Sequence, residues 1–86
     1  MSYEVRISNS AAKEIQNLPK QEIKKVVSKI EGLAENPRPV GCKKLEGTKE
    51  KLWRLRSGNY RIVFAIEDTI KIVEVRSVGD RKQIYK

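Results

Sequence analysis

The chain has 86 residues, 19 Lys and Arg against 11 Asp and Glu, a net charge of +8 and no histidine. That length predicts one domain over residues 1–86 with a thin core, and the positive balance points to a polyanionic partner, nucleic acid before acidic protein. A single cysteine, Cys42, excludes a disulfide framework and a multi-Cys zinc site, and the missing histidines remove His triads and His metal ligands.

Tyr3-Glu4-Val5-Arg6-Ile7 alternates apolar and polar residues, the period of a half-buried strand. Ser8-Asn9-Ser10 then supplies helix caps, and Ala11, Ile15 and Leu18 recur at helical spacing. Pro19 breaks this short helix and fits the first turn of the next. In the second helix Ile23, Val26, Val27, Ile30, Leu33 and Ala34 form one stripe with Lys24, Lys25, Lys29, Glu31 and Glu35 opposite. Asn36-Pro37-Arg38-Pro39 ends it. After residue 39 the period changes from helical to two. Val40 to Glu50 reads as a loop with a short strand at Lys43–Leu45. Lys51–Arg56, Tyr60–Glu67 and Thr69–Ser77 read as strands, the first two joined by a tight turn at Ser57-Gly58-Asn59. The prediction is an α+β fold in the order β-α-α-β-β-β, an antiparallel sheet with a helical hairpin packed on one face.

The longest apolar run, Ile62 to Ile66, is far too short to span a membrane. The N-terminal MSYEVRISNSA has no hydrophobic signal core, which predicts a cytoplasmic location and no membrane partner.

The charge excess is concentrated. Residues 38–61 carry Arg38, Lys43, Lys44, Lys49, Lys51, Arg54, Arg56 and Arg61 against Glu46 and Glu50. Strand alternation aims these charges. Tyr60, Ile62, Phe64 and Ile66 belong to the face that packs on the helices, with Trp53 and Leu55. Leu52, Arg54, Arg56 and Arg61 then share the face the helices leave open. Crowded guanidinium groups repel by up to about 1 kcal/mol per cross-strand pair, and a phosphate backbone offsets that repulsion because Arg forks onto phosphate. A solvated basic face is the plain alternative. On an exposed open face, Arg61→Ala is expected to change stability by under about 0.5 kcal/mol. Near the end, Val78-Gly79-Asp80-Arg81 leads to Tyr85, which either staples the tail through its ring or forms a stacking platform beside nucleic acid.

Three blocks are specific. Lys44-Leu45-Glu46-Gly47, the run from Trp53 to Phe64 (W-R-L-R-S-G-N-Y-R-I-V-F) and the run from Val78 to Tyr85 (V-G-D-R-K-Q-I-Y) resemble the RelE/ParE superfamily of toxins from toxin–antitoxin pairs. The resemblance covers nearly the whole chain. It implies a RelE-type messenger RNA interferase that cuts in the ribosomal A site by attack of the 2′-hydroxyl on the adjacent phosphodiester, without metal or cofactor. It also implies a cognate acidic antitoxin and contacts with messenger and ribosomal RNA. By resemblance Arg61 stabilises the transition state, Arg81 assists the leaving oxygen, Tyr85 orients the reacting nucleotide or handles a proton, and Arg54 holds the phosphate. Arg56, Lys51, Lys43, Lys44 and Lys82 are expected to contact RNA around them. Leu52 departs from the pattern: relatives with two lysines on this strand carry one there, so the group that accepts the 2′-hydroxyl proton stays unassigned. Lys51 beside it alternates to the other face unless a bulge intervenes. A ParE-like gyrase inhibitor and a non-catalytic RNA-binding member are the rival readings.

Overall fold

The computed structural model describes residues 2–47 and 51–80. Strand β1 spans Glu4–Ile7 and leads straight into helix α1, Asn9–Gln16. Ser8 makes that junction. Its Oγ accepts the Ala11 N–H at 3.1 Å as the helix cap, and the same hydroxyl donates to the Arg76 carbonyl at 3.2 Å. Helix α1 buries Ala11 and Ile15, the stripe its spacing predicts.

Helix α2 covers Lys20–Gly32, with Pro19 at its N-cap. It stops before the predicted stripe runs out: Leu33 is the C-cap, and the chain leaves through turns whose N–H groups return to Glu31 and Gly32. Leu33 is nonetheless fully buried, so the apolar spacing reported packing that continues past the last helical residue.

Strands β2 (Lys43–Lys44), β3 (Leu52–Ser57), β4 (Tyr60–Glu67) and β5 (Ile72–Asp80) complete a five-stranded sheet in the order β1-β5-β4-β3-β2. The β3–β4–β5 meander is antiparallel, as predicted. The sheet as a whole is mixed, because β1 pairs with β5 in parallel, Val5 opposite Val73. A parallel pair needs a long crossover; here both helices and the rest of the sheet intervene, a connection that local alternation does not report. Gly58 at φ +60 opens the β3–β4 turn, where the positive angle suits glycine. The β4–β5 turn occupies Asp68–Lys71 with Lys71 at φ 57, which starts β5 three residues later than its alternation suggests.

The core lies between the helices and one sheet face. Ala11, Ile15, Val26, Ile30 and Leu33 meet Leu55, Ile62, Phe64, Val73, Val75 and Val78, with Trp53 and Ile66 packed at its margin. Both helices therefore cover one face, and the hairpin arginines are left on the other.

Candidate nucleic-acid interface

The β3–β4 register assembles the open face. Arg56 stands opposite Arg61, Arg54 opposite Val63, and Leu52 opposite Ala65. Paired residues share a face, so Arg54, Arg56 and Arg61 are brought together as alternation predicts. Lys43 joins them opposite Arg54, whereas Lys44 pairs with Trp53 and starts from the helix-facing side. Lys51 is exposed one residue before β3, and it lines a cavity with the open-face residue Ala65. Arg81, Lys82 and Tyr85 lie outside the described residues.

One expectation is corrected. Arg61 is 8% exposed rather than a free surface residue. Val63 and Ala65, the next two positions of β4 on that face, are 4% and 9% exposed. The cause is position in the sheet: β4 is the central strand, so side chains from β3 and β5 flank it on both sides. Arg61 faces Gly79 across β5, which has no side chain to crowd the guanidinium stem. Arg54 is half-buried and Arg56 exposed.

Among the described residues neither Arg54 nor Arg56 has an ion pair, although the same molecule joins Arg6 to Glu4, Lys25 to Glu22, Arg38 to Asp68 and Arg76 to Glu74. These four paired cations lie outside the hairpin, whereas Arg54 and Arg56 within it have no carboxylate partner among the described residues. Arg38, part of the basic excess in the sequence, does not join the open face. It donates from Nη1 to Asp68 Oδ1 at 3.2 Å and from Nη2 to Oδ2 at 2.8 Å, and its guanidinium lies 5.1 Å from the centre of the Trp53 ring. The Tyr3 hydroxyl donates to Asp68 Oδ1 at 2.8 Å. The Arg38 bonds, then the Tyr3 bond, hold the Asp68 carboxyl down at about 2. This cluster ties the first strand, the loop after α2 and the β4–β5 turn together.

Sequence reading missed Arg76. The β4–β5 register shifts between Val63, opposite Ser77, and Phe64, opposite Val75, so Arg76 is an extra residue in a β-bulge. The signal was present: buried Val73, Val75 and Val78 are spaced two and then three apart. Helix α1 supports the bulge from the outer side, where β1 has already ended. The Ser8 N–H donates to the Val75 carbonyl at 3.0 Å, and Glu14 Oε1 accepts the Val78 N–H at 2.8 Å.

Comparison with known proteins agrees with this architecture. The family model described as the ParE toxin of the type II toxin–antitoxin system parDE matches residues 5–85. Toxin RelE of Mycobacterium tuberculosis is 35% identical over 98% of this chain and 87% of its own length. Among solved structures, the archaeal RelE–RelB complex of Pyrococcus horikoshii OT3 aligns with a TM-score of 0.83 at 29% identity, covering 96% of this chain and 99% of that one. The intact Escherichia coli RelBE toxin–antitoxin complex aligns with a TM-score of 0.73 at 30% identity, over 92% of this chain and 96% of that one. The fold, the family match across nearly the full length and these relatives lead to one assignment: the chain belongs to the RelE/ParE superfamily and is a RelE-like toxin of a toxin–antitoxin system.

Proposed function

We propose that the protein is a ribosome-dependent endoribonuclease that cleaves messenger RNA in the A site and so inhibits translation in the cytoplasm. The observation that carries this reading is the open sheet face, where Arg56 stands directly opposite Arg61 and no carboxylate among the described residues pairs with Arg54 or Arg56. Such a surface is stabilised by a polyanion laid across it.

The chemistry suits a chain without histidine. RNA carries its own nucleophile, the 2′-hydroxyl, so the protein's task is to hold the phosphodiester in line and to stabilise the charge that grows on the phosphate oxygens. Arg61, fixed by burial in the central strand, is preorganised for that charge, and a fixed guanidinium loses little freedom when it binds. Arg54 holds the same phosphate from the neighbouring strand, and Arg56 and Lys43 extend the contact along the RNA. Arg81 and Tyr85 keep the roles the resemblance gives them: Arg81 assists the leaving oxygen through its charge, and Tyr85 orients the nucleotide or handles a proton. Arg is a poor general base because its pKa exceeds about 12. Leu52, half-buried opposite Ala65, offers no proton acceptor, so ribosomal RNA completes the geometry.

Relatives have been solved as RelE–RelB complexes. By the same reading this +8 chain is held inactive by a cognate acidic antitoxin that covers basic and apolar surface. The direct test is incubation of purified protein with programmed ribosomes. Products with a 2′,3′-cyclic phosphate and a 5′-hydroxyl support the reading; intact message on every codon tested refutes it.

A further inference from the structure

At the end of β4 remote from the hairpin, a cavity of about 330 Å³ opens beside Ala65. Its walls include Lys51, Glu67, Asp68, Thr69 and Arg76. The volume falls in the range of sites that enclose a small organic group, about 300–1,000 Å³. Building on the endonuclease reading, we infer that this cavity is a base-reading subsite for one nucleotide of the RNA, with Lys51 on its phosphate, assisted by Arg76, which shares its charge with Glu74, and Glu67 on its base.

Position is the first support. Ala65 lies on the same face as Arg61, four residues along the strand, or about 13 Å. An RNA strand whose scissile phosphate sits at Arg61 and Arg54 reaches the cavity within a few nucleotides. The bulge is the second: it adds Arg76 to β5 at the cavity wall, and α1 holds the flanking backbone through Ser8 and Glu14. The third is the state of the charges. Both Asp68 oxygens are taken by Arg38 and Tyr3, so Asp68 is a wall and not a reader. Glu67 and Lys51 line the same cavity, yet neither has an ion pair among the described residues. Two unspent charges of opposite sign in one polar cavity suit a ligand with an anionic end and a hydrogen-donating end.

A nucleotide has both. A carboxylate only accepts hydrogen bonds. Adenine, cytosine and guanine present an exocyclic amino group, and cytosine's is a known partner of acidic side chains. Uracil presents two carbonyl oxygens around a single N–H, and Glu67 repels both. The subsite therefore takes an amino-bearing base and disfavours uracil.

The test is equilibrium binding of fluorescent adenylate, cytidylate and uridylate hexamers, 2′-O-methylated so that they cannot be cut. Wild-type protein is expected to bind the uridylate several-fold more weakly than the other two. Lys51→Ala and Arg76→Ala each weaken all three and flatten the slope of log K against log salt by about 0.7. Glu67→Gln, which gains an amide donor, removes the discrimination against uridylate. If Arg54→Ala weakens binding while Lys51→Ala and Arg76→Ala do not, RNA follows the arginine face and misses the cavity, which overturns this inference alone. If Arg54→Ala also changes nothing, the endonuclease reading falls with it. An unchanged base preference in Glu67→Gln rejects Glu67 as the reader. Lys51 is exposed ahead of β3, so its variant keeps the test decisive should Arg76→Ala fail to fold.

Discussion

Replacing Arg61 separates what its charge does from what its stem does. The residue is 8% exposed at the centre of the sheet, so its methylenes are packed, and it stands opposite Arg56 in the register. Arg61→Ala and Arg61→Met both remove the guanidinium, with its repulsion of Arg56 and its other contacts. They differ in the stem: methionine keeps an unbranched apolar chain of similar reach, and alanine deletes about two buried methylenes. At about 0.8 kcal/mol for each methylene, Arg61→Ala should be less stable than Arg61→Met by about 1.5 kcal/mol. Cleavage should not follow that order. Loss of one transition-state charge contact costs about 100-fold or more in rate, and both variants lose it equally. The assay is single-turnover cleavage on programmed ribosomes, with urea unfolding of each variant in parallel. Near-wild-type cleavage by Arg61→Met shows that the charge is not used in the reaction. Equal stabilities of the two variants show that the stem is not packed as described.

Ser8→Ala removes both the α1 cap and the bond to the Arg76 carbonyl, and is expected to cost about 1–2 kcal/mol in denaturant unfolding; a change within error places the junction's stability elsewhere. The Asp68 cluster gives an acid dependence. Its carboxyl titrates at about 2 in the folded chain and near about 3.9 when unfolded. The contribution is therefore fully present above about pH 4 and is lost as pH falls toward about 2. Urea unfolding from pH 6 to pH 2 should show wild type losing its advantage over Asp68→Asn only within that window, and a constant difference across it contradicts the assignment. Arg56→Ala, at an exposed position, should flatten the salt dependence of RNA binding by about 0.7 without altering unfolding, whereas Lys29→Ala on the polar face of α2 should change neither.

The sequence made the arginine face readable because alternation in Lys51–Arg56 and Tyr60–Glu67 is regular and the turn between them is short. Two facts then fix which side chains share a face, and the register pairs Arg56 with Arg61 as that reasoning requires. What escaped was long-range. The parallel pairing of β1 with β5 depends on a crossover through most of the chain. The burial of Arg61 depends on β4 being central, which no local pattern states. Arg38 looked like one more free cation, but Asp68, thirty residues away, and Trp53 claim it. Arg76 was legible in principle, through the broken spacing of Val73, Val75 and Val78, although a single irregular step in a strand is easily read as its end. The family resemblance rested on motif residues, and the match across residues 5–85 bears it out.

The central claim is that this toxin acts by cutting messenger RNA on the ribosome. Controlled expression of the chain without its antitoxin, followed by mapping of transcript 5′ ends and of gyrase–DNA cleavage complexes in the same cells, tests it most directly. The account predicts new 5′-hydroxyl ends within translated codons, lost when translation is blocked or when Arg61→Met is expressed, and no rise in gyrase complexes. Growth arrest with intact transcripts and trapped gyrase would contradict it and would place the protein with the ParE-type toxins.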